Sequence, residues 1–258
     1  GHVNLQEYNA YMDVTCITRK RDAILTSIIS QVTPSESSVI KRVAYEPMFT
    51  EHLRDHLGIK GVIRVSMHEP LTNIRKLIVI ICERGMPTTE IWRAMYGAAS
   101  LHRAAGKYVI AVNDDIDPNN ADAVFWAMAY RANPALDVEI LKHRDSGHGP
   151  RSDRAGGEDA SVLFDATLKE DFPPISLPKK EYMENAKEIW DELGLPELKP
   201  QVPWHGYSLG EWEEEFDVMA QRAVESDYFK TGEIIAQRRR NDLKMNTEVR
   251  TLKGEDEE

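Results

Sequence analysis

Short apolar strand patterns alternate with amphipathic helix patterns between residues 61 and 141, and this alternation restricts the folds open to the chain. Strand patterns occupy 61–67, 76–82, 107–113 and 138–141, and helix patterns occupy 89–105 and 121–132. Strands joined by helices form crossover units in which neighbouring strands run parallel and helices cover the sheet. The sequence therefore predicts an α/β domain with a mostly parallel sheet, to which 162–167 is expected to add a strand.

Two strand-like segments open the chain. YMDVTCIT at 11–18 and AILTSIIS at 23–30 flank a charged stretch, which predicts a hairpin. Two strands alone are marginally stable and nothing nearby supplies more of them, while the chain also begins without an initiator Met. We therefore expect this sequence to be part of a larger protein.

A long helix pattern follows this hairpin pattern. Ser35 or Ser37 can cap its start, Pro47 is expected to kink it, and Gly58 is expected to end it. A long bent helix that leaves one sheet and leads to a new periodicity is predicted to connect two domains.

Three helix patterns, at about 180–193, 209–225 and 231–245, follow residue 171 and are separated by Pro-rich stretches. This tail is polar and too thin to form its own core, yet Trp, Tyr and Phe are spaced along it. We therefore expect it to wrap another surface, such as a second subunit.

The composition excludes several classes of partner. A net charge of −11 over 258 residues repels polyanions, which argues against binding to nucleic acid or acidic membranes. No apolar run approaches the roughly 20 residues of a membrane helix. Cys16 and Cys82 form neither a disulfide framework nor a zinc spacing, which favours a reducing cytoplasm.

Two polar clusters have metal-binding residue types but simpler explanations. His52 and His56 lie four residues apart, yet HLRDH lacks the glutamate of HExxH and no third ligand is evident. Asp114, Asp115 and Asp117 follow a strand pattern without the spacing of an EF-hand, and Asx turns with a helix cap account for them. We predict no metal site from either cluster.

Glu36 and the loop 146–157 are the candidates for chemistry. Glu36 lies in the first turn of the long helix, where the helix dipole by itself favours a carboxylate, so the residues alone favour a structural role over proton transfer. The loop SGHGPRSDRAGG offers His148, Arg151 and Arg154 as donors to phosphate or carboxylate. It matches no dinucleotide fingerprint, and a flexible surface loop explains it equally well.

An ordered set of motifs resembles the C-terminal half of the UbiD-family decarboxylases. From about Tyr11 to Thr167 the chain carries, in the family's order, CITRKRDAIL, QVTPSESSVIK, KYVIAVNDDIDPNNADAVFWAMAYRANPALDVEIL, and GHGPRSD followed by GGEDASVLFDAT. QVTPSESS resembles the members that act on aromatic or phenolic acids more than it resembles the ferulate branch. The resemblance implies a reversible decarboxylase that uses prenylated FMN.

The resemblance also implies a division of the chain. Residues 1–35 would be the last strands of a flavin-binding split β-barrel domain, and 36–58 the linker helix. Residues 59–170 would form the α/β domain, and 171–258 an extended helical tail that serves oligomerisation. The N-terminal half of the same enzyme would then be a partner, together with further copies of the chain and an aromatic acid substrate.

Roles for residues follow from the same resemblance. Glu36 matches an active-site glutamate and is implied to be the catalytic proton donor, while Arg151, with His148, is implied to bind the cofactor phosphate. Glu46 and Glu7 fit no motif well enough to carry a role. The manganese and potassium that the family uses at the phosphate would be ligated mainly by the N-terminal half, as would most of the flavin.

Two other interpretations stay open. One is a noncatalytic oligomerisation or assembly fragment that lacks the flavin site, and the other is a nucleotide-binding enzyme that uses the GHGPR loop.

Overall fold

The computed structural model describes residues 10–70, 72, 75–145, 158–170, 172, 180–197 and 214–238. These residues divide into two compact units. The first contains the described residues up to 170 together with 180–197, and the second contains 172 and 214–238.

Five strands form one sheet in the first unit. They are β1 (Val62–Met67), β2 (Leu77–Cys82), β3 (Tyr108–Asn113), β4 (Val138–Asp145) and β5 (Glu158–Asp165), in the order β1-β2-β3-β5-β4. The three central strands β2, β3 and β5 are parallel, and each edge strand is antiparallel to its neighbour. The predicted α/β sheet is therefore confirmed, with parallel strands at its centre.

Helices cover both faces of this sheet. The helix α2 (Thr88–Leu101) packs over Ile78 and Ile80, whereas α3 (Ala121–Arg131) packs over Val79 and Ile81 on the other face. Alternate side chains of β2 thus enter opposite cores. This explains why its sequence is a continuous apolar run rather than an alternating one.

A long helix, α1 (Glu36–Glu51), is continued by a π-helical turn at His52–His56. Ser35, one of the two predicted caps, accepts a hydrogen bond from the Ser38 N–H at 3.3 Å, and the Ser38 hydroxyl accepts one from the Ser35 N–H at 2.9 Å. Gly58, with a φ of 73°, follows the helix in the left-handed conformation that favours glycine. The predicted cap and stop are both confirmed.

α1 lies along the free side of the edge strand β1. Thr50 Oγ1 accepts a hydrogen bond from the Val65 N–H at 2.9 Å, and Glu46 Oε1 accepts one from the Met67 N–H at 2.8 Å. These side chains satisfy backbone donors that an edge strand otherwise leaves unpaired. The fully buried Phe49 extends from the same helix into the core.

Residues 10–30 form no strand, so the predicted strands at 11–18 and 23–30, and the hairpin between them, are wrong for this chain. Every residue from 10 to 32 is exposed, including the large apolar side chains Tyr11, Ile24 and Leu25 at 90–95% exposure. A strand needs a neighbour for its backbone and a surface for its apolar face, and the described residues supply neither. A remnant of a split barrel is therefore not seen among the residues that the structure describes.

A helix is found in each of the three predicted tail segments, and the third begins three residues before its predicted start. These helices are α4 (Lys180–Glu192) in the first unit, and α5 (Glu214–Val224) and α6 (Tyr228–Arg238) in the second. None of the residues of α5 is buried. Across the part of the chain that the structure describes, no helix is both long enough and apolar enough to cross a membrane.

Candidate active site

Glu36 is the first residue of α1 and reaches back to the segment that precedes the helix. Its Oε2 atom accepts a hydrogen bond from the Ile29 N–H at 2.7 Å. The side chain is exposed, and it bonds to a different part of the chain rather than to the end of its own helix. A helix-dipole contact alone does not account for this placement.

An open groove of about 570 Å³ lies beside Glu36. Among the described residues, Glu36 is the one ionisable side chain of its lining, and the rest are small polar or aliphatic. These lining residues are Thr26, Ser27, Ile28, Pro34, Ser35, Glu36, Val39 and Ile40. Any surface that closes the groove would remove the Glu36 carboxyl group from water. The groove thus combines apolar walls with a single group able to exchange a proton.

The side of α1 that carries Glu36 is uncovered and apolar. Val39, Ile40 and Val43 follow Glu36 at helical spacing and are 48%, 57% and 69% exposed. The other side of the helix holds the buried Ser38 and enters the core of the sheet domain. A contiguous apolar stripe of this kind marks a surface that another polypeptide or ligand covers.

A buried glutamate outside the helix supports the same turn. Glu69, just after β1, accepts hydrogen bonds from the Ser38 hydroxyl and, at 3.1 Å, from the Ser35 N–H. Glu69 is 33 positions from Glu36 in the sequence and belongs to no motif. No sequence signal marks this contact, because only the fold brings the two segments together.

Glu46 is engaged in docking α1 rather than in lining the groove. Its carboxylate pairs with Arg42 Nε at 2.7 Å and also accepts a hydrogen bond from the Ser66 hydroxyl at 3.2 Å. Arg42 in turn donates to Asn119 Oδ1 at 2.7 Å, which ties the helix to the loop after β3. Glu46 therefore holds the helix in place without facing the groove.

Asp115 and Asp117 of the acidic cluster after β3 are held by an ion pair and a turn, whereas the half-exposed Asp114 lies 4.0 Å from Arg84 Nε. Asp115 forms a two-pronged ion pair with the buried Arg131 at 2.9 and 2.5 Å. Asp117 Oδ1 accepts a hydrogen bond from the Asn119 N–H at 2.9 Å, and Asn120 caps α3. The predicted Asx turn and helix cap are confirmed.

His52 and His56 meet edge to face with ring centroids 5.9 Å apart. Partial burial and the neighbouring His56 lower the pKa of His52. No three His, Cys, Asp or Glu side chains converge as a metal site within the described ranges. Glu7, His148, Arg151 and Arg154 lie outside those ranges, so the predicted phosphate contacts stay predictions.

Solved structures of several decarboxylases resemble part of the chain. They include the UbiD-class enzyme HmfF from Pelotomaculum thermopropionicum in complex with FMN, with 24% identity, a TM-score of 0.49, and coverage of 59% of this chain and 34% of that one. Vanillic acid decarboxylase from Sedimentibacter hydroxybenzoicus matches with 19% identity, a TM-score of 0.47, and coverage of 62% and 35%. A 3,4-dihydroxybenzoic acid decarboxylase from Enterobacter cloacae matches with 16% identity, a TM-score of 0.47, and coverage of 58% and 33%. The chain thus spans about a third of the length of these proteins.

A family model matches residues 38–166, which is half of the chain and includes most of α1 and the whole sheet. The model describes the C-terminal domain of 3-octaprenyl-4-hydroxybenzoate carboxy-lyase. This chain therefore belongs to the UbiD family of carboxy-lyases, of which it carries the C-terminal domain.

Proposed function

We propose that this chain is the C-terminal part of a reversible decarboxylase that acts on an aromatic or phenolic carboxylic acid with prenylated FMN, and that Glu36 is its proton donor. The observation that carries the proposal is the position of Glu36 as the one ionisable residue of an apolar groove on the uncovered side of α1. Family membership supplies the reaction class.

The groove fits a flat aromatic group on one side and needs a second wall on the other. Ile28, Val39 and Ile40 offer aliphatic surface, and no basic side chain competes for the Glu36 carboxyl group within the lining. Prenylated FMN, when bound, supplies the electron sink that accepts the electron pair of the breaking carbon–carboxyl bond. Glu36 then donates its proton to the carbon that has lost carbon dioxide and regains a proton from solvent.

We propose that the N-terminal half of the enzyme supplies the second wall. The exposed apolar side chains of residues 10–32 and of the α1 stripe are the surface it would cover. In that half we also place most of the flavin contacts and the ligands for manganese and potassium. We assign residues 1–35 to the flavin-binding domain that this half would complete.

We assign the cofactor phosphate to Arg151, with help from His148. A guanidinium group is suited to this task because it donates two parallel hydrogen bonds to phosphate oxygens.

The tail is proposed to join copies of the chain. In α4, Tyr182 and Ile189 are 60% and 48% exposed, and in α6 Phe229 is 72% exposed. These apolar side chains favour a subunit contact, and they also keep the assembly-fragment interpretation open. Light scattering with an absorbance scan of the full-length protein separates the decarboxylase from the assembly fragment. Both form oligomers, but only the decarboxylase shows a flavin spectrum.

Net decarboxylation of the substrate, which requires protonation of the carbon that has lost carbon dioxide, tests the role of Glu36. In the full-length enzyme loaded with prenylated FMN, we expect Glu36→Gln to lower the rate of product formation about 100-fold or more with the flavin spectrum unchanged. Glu51→Gln is the matched control, since it makes the same charge change at an exposed position of the same helix. Unchanged turnover in Glu36→Gln, with flavin bound, would rule out the assigned role.

A further inference from the structure

We propose that Glu69 is a positioning residue, which holds the first turn of α1, and with it the Glu36 carboxyl group, from the side of the α/β domain. This inference rests on the function proposed for Glu36. Glu69 follows β1 and is only 3% exposed. A carboxylate loses hydration on burial, so a buried one requires strong hydrogen-bond donors in return.

The hydrogen-bond donors to Glu69 are the N-cap residue of α1 and a residue in its first turn. Glu69 Oε1 accepts hydrogen bonds from the Ser38 hydroxyl and from the Ser35 N–H. The same two serines form the capping box of α1. Because the N-terminal end of a helix carries partial positive charge, the position also favours a carboxylate electrostatically.

Glu36 directly follows the N-cap residue Ser35, so its backbone position depends on the hydrogen bonds between Glu69 and the two serines. Glu69 holds Ser35 and Ser38 from the domain side, while the Glu36 side chain bonds to the Ile29 N–H on the exposed side. Without Glu69, the two serines keep only their bonds to each other and to nearby polar groups of the chain. The first turn then frays more easily, and a displacement of about 1 Å at a reacting group is enough to impair catalysis.

Hydrogen exchange in the 258-residue chain tests the structural half of the proposal without cofactor. The amides of Ser38 and Val39 donate to the Ser35 carbonyl at 3.1 and 3.0 Å and report on the first turn. In Glu69→Leu we expect both to exchange about tenfold faster, because a hydrogen bond to a charged acceptor is lost. Glu69→Gln keeps an acceptor oxygen and should stay near the wild-type rates, and unchanged rates in Glu69→Leu would overturn the proposal.

The amide of Phe49, deep in the core, serves as the folding control. If it also exchanges faster in Glu69→Leu, that variant is globally weakened, and Glu69→Asp takes its place. That substitution keeps a carboxylate and both serines of the capping box, but its side chain is one methylene shorter and is expected to fall short of Ser35 and Ser38. The same acceleration at Val39 is then expected, and its absence counts against the proposal.

Steady-state decarboxylation kinetics of the full-length enzyme loaded with prenylated FMN test whether Glu69 positions Glu36. We expect Glu69→Leu to lower kcat about tenfold or more with little change in KM, and Glu69→Gln to retain most of the activity. An unchanged kcat despite a frayed first turn, or equal losses in both variants, would overturn the positioning role. A wild-type enzyme that does not decarboxylate would refute the proposed function instead. Amide hydrogen exchange would still decide whether Glu69 holds the first turn of α1.

Discussion

Thr50 fastens α1 to the edge of the sheet, and removing its hydroxyl measures how strongly the helix that carries Glu36 is held. In Thr50→Val the side chain keeps its volume, but the Val65 N–H loses its acceptor at 2.9 Å. Val65 is only 2% exposed, so water does not replace that acceptor. An unsatisfied buried donor costs about 1–3 kcal/mol, and we expect the free energy of unfolding to fall by this amount.

The control and the assay follow from the same contact. Thr50→Ser keeps the hydroxyl and loses one methyl group, which costs at most about 0.8 kcal/mol. Urea unfolding gives the difference between the two variants, and Tm should differ by roughly 2–4 °C per kcal/mol in a chain of this size. The Val65 amide, followed by NMR, should exchange faster only in Thr50→Val. Equal stability and equal Val65 exchange in both variants would show that the edge bond contributes nothing.

Three further predictions test other parts of the fold. Burial, with a smaller effect from a nearby carboxylate, raises the pKa of the Cys82 thiol to about 12, so a thiol reagent at neutral pH should modify the exposed Cys16 alone until denaturant is added. Burial opposes ionisation of Asp159, but the hydrogen bond from Lys107 Nζ at 2.6 Å helps to outweigh it and the pKa is lowered. This contact stabilises the fold at a pH above the unfolded-state pKa of Asp159, and the stabilisation is lost as the pH falls through the folded-state pKa. The unfolding free energies of wild type and Asp159→Asn should therefore converge as the pH falls below about 4, and a constant difference would contradict this. A Cβ atom at Gly97 in α2 would lie 2.5 Å from Leu57 Cδ1. Gly97→Val should therefore lower the free energy of unfolding by about 1–3 kcal/mol in a urea titration, and an unchanged value would mean that α2 lies further from Leu57.

The elements predicted from sequence were those whose partners lie in this chain. The apolar runs of β2 and β3 pair with each other and bury on both faces, so their local pattern and their environment agree. The segments 11–18 and 23–30 have an equally strong strand pattern and form no strand. Periodicity indicates the preference of a segment, but a strand also requires a neighbour, and the described part of the chain supplies none.

The start of α1 shows the same division between local and distant information. Ser35 was predicted as a cap because capping needs only residues within one turn. Glu69 was missed because its bond to Ser38 joins positions 31 residues apart, and a glutamate in a short loop has no distinguishing spacing. The role proposed for Glu36 was only partly predictable from the residues. A glutamate fits a helix start for local reasons, and only the family resemblance pointed to proton transfer.

The two sides of α1 explain why an exposed carboxyl group is compatible with a role in proton transfer. One side of α1 packs against the sheet domain, through the buried Phe49 and through hydrogen bonds to β1. The other presents Val39, Ile40 and Val43, which are 48%, 57% and 69% exposed. Covering their remaining surface with a second polypeptide would contribute about 3–5 kcal/mol in all. The same closure would remove water from around Glu36, which strengthens electrostatic interactions in a closed site and limits side reactions. If the proposed function holds, association with the N-terminal half would form the proton-donor site in the same step, and Glu36 would be exposed before that association.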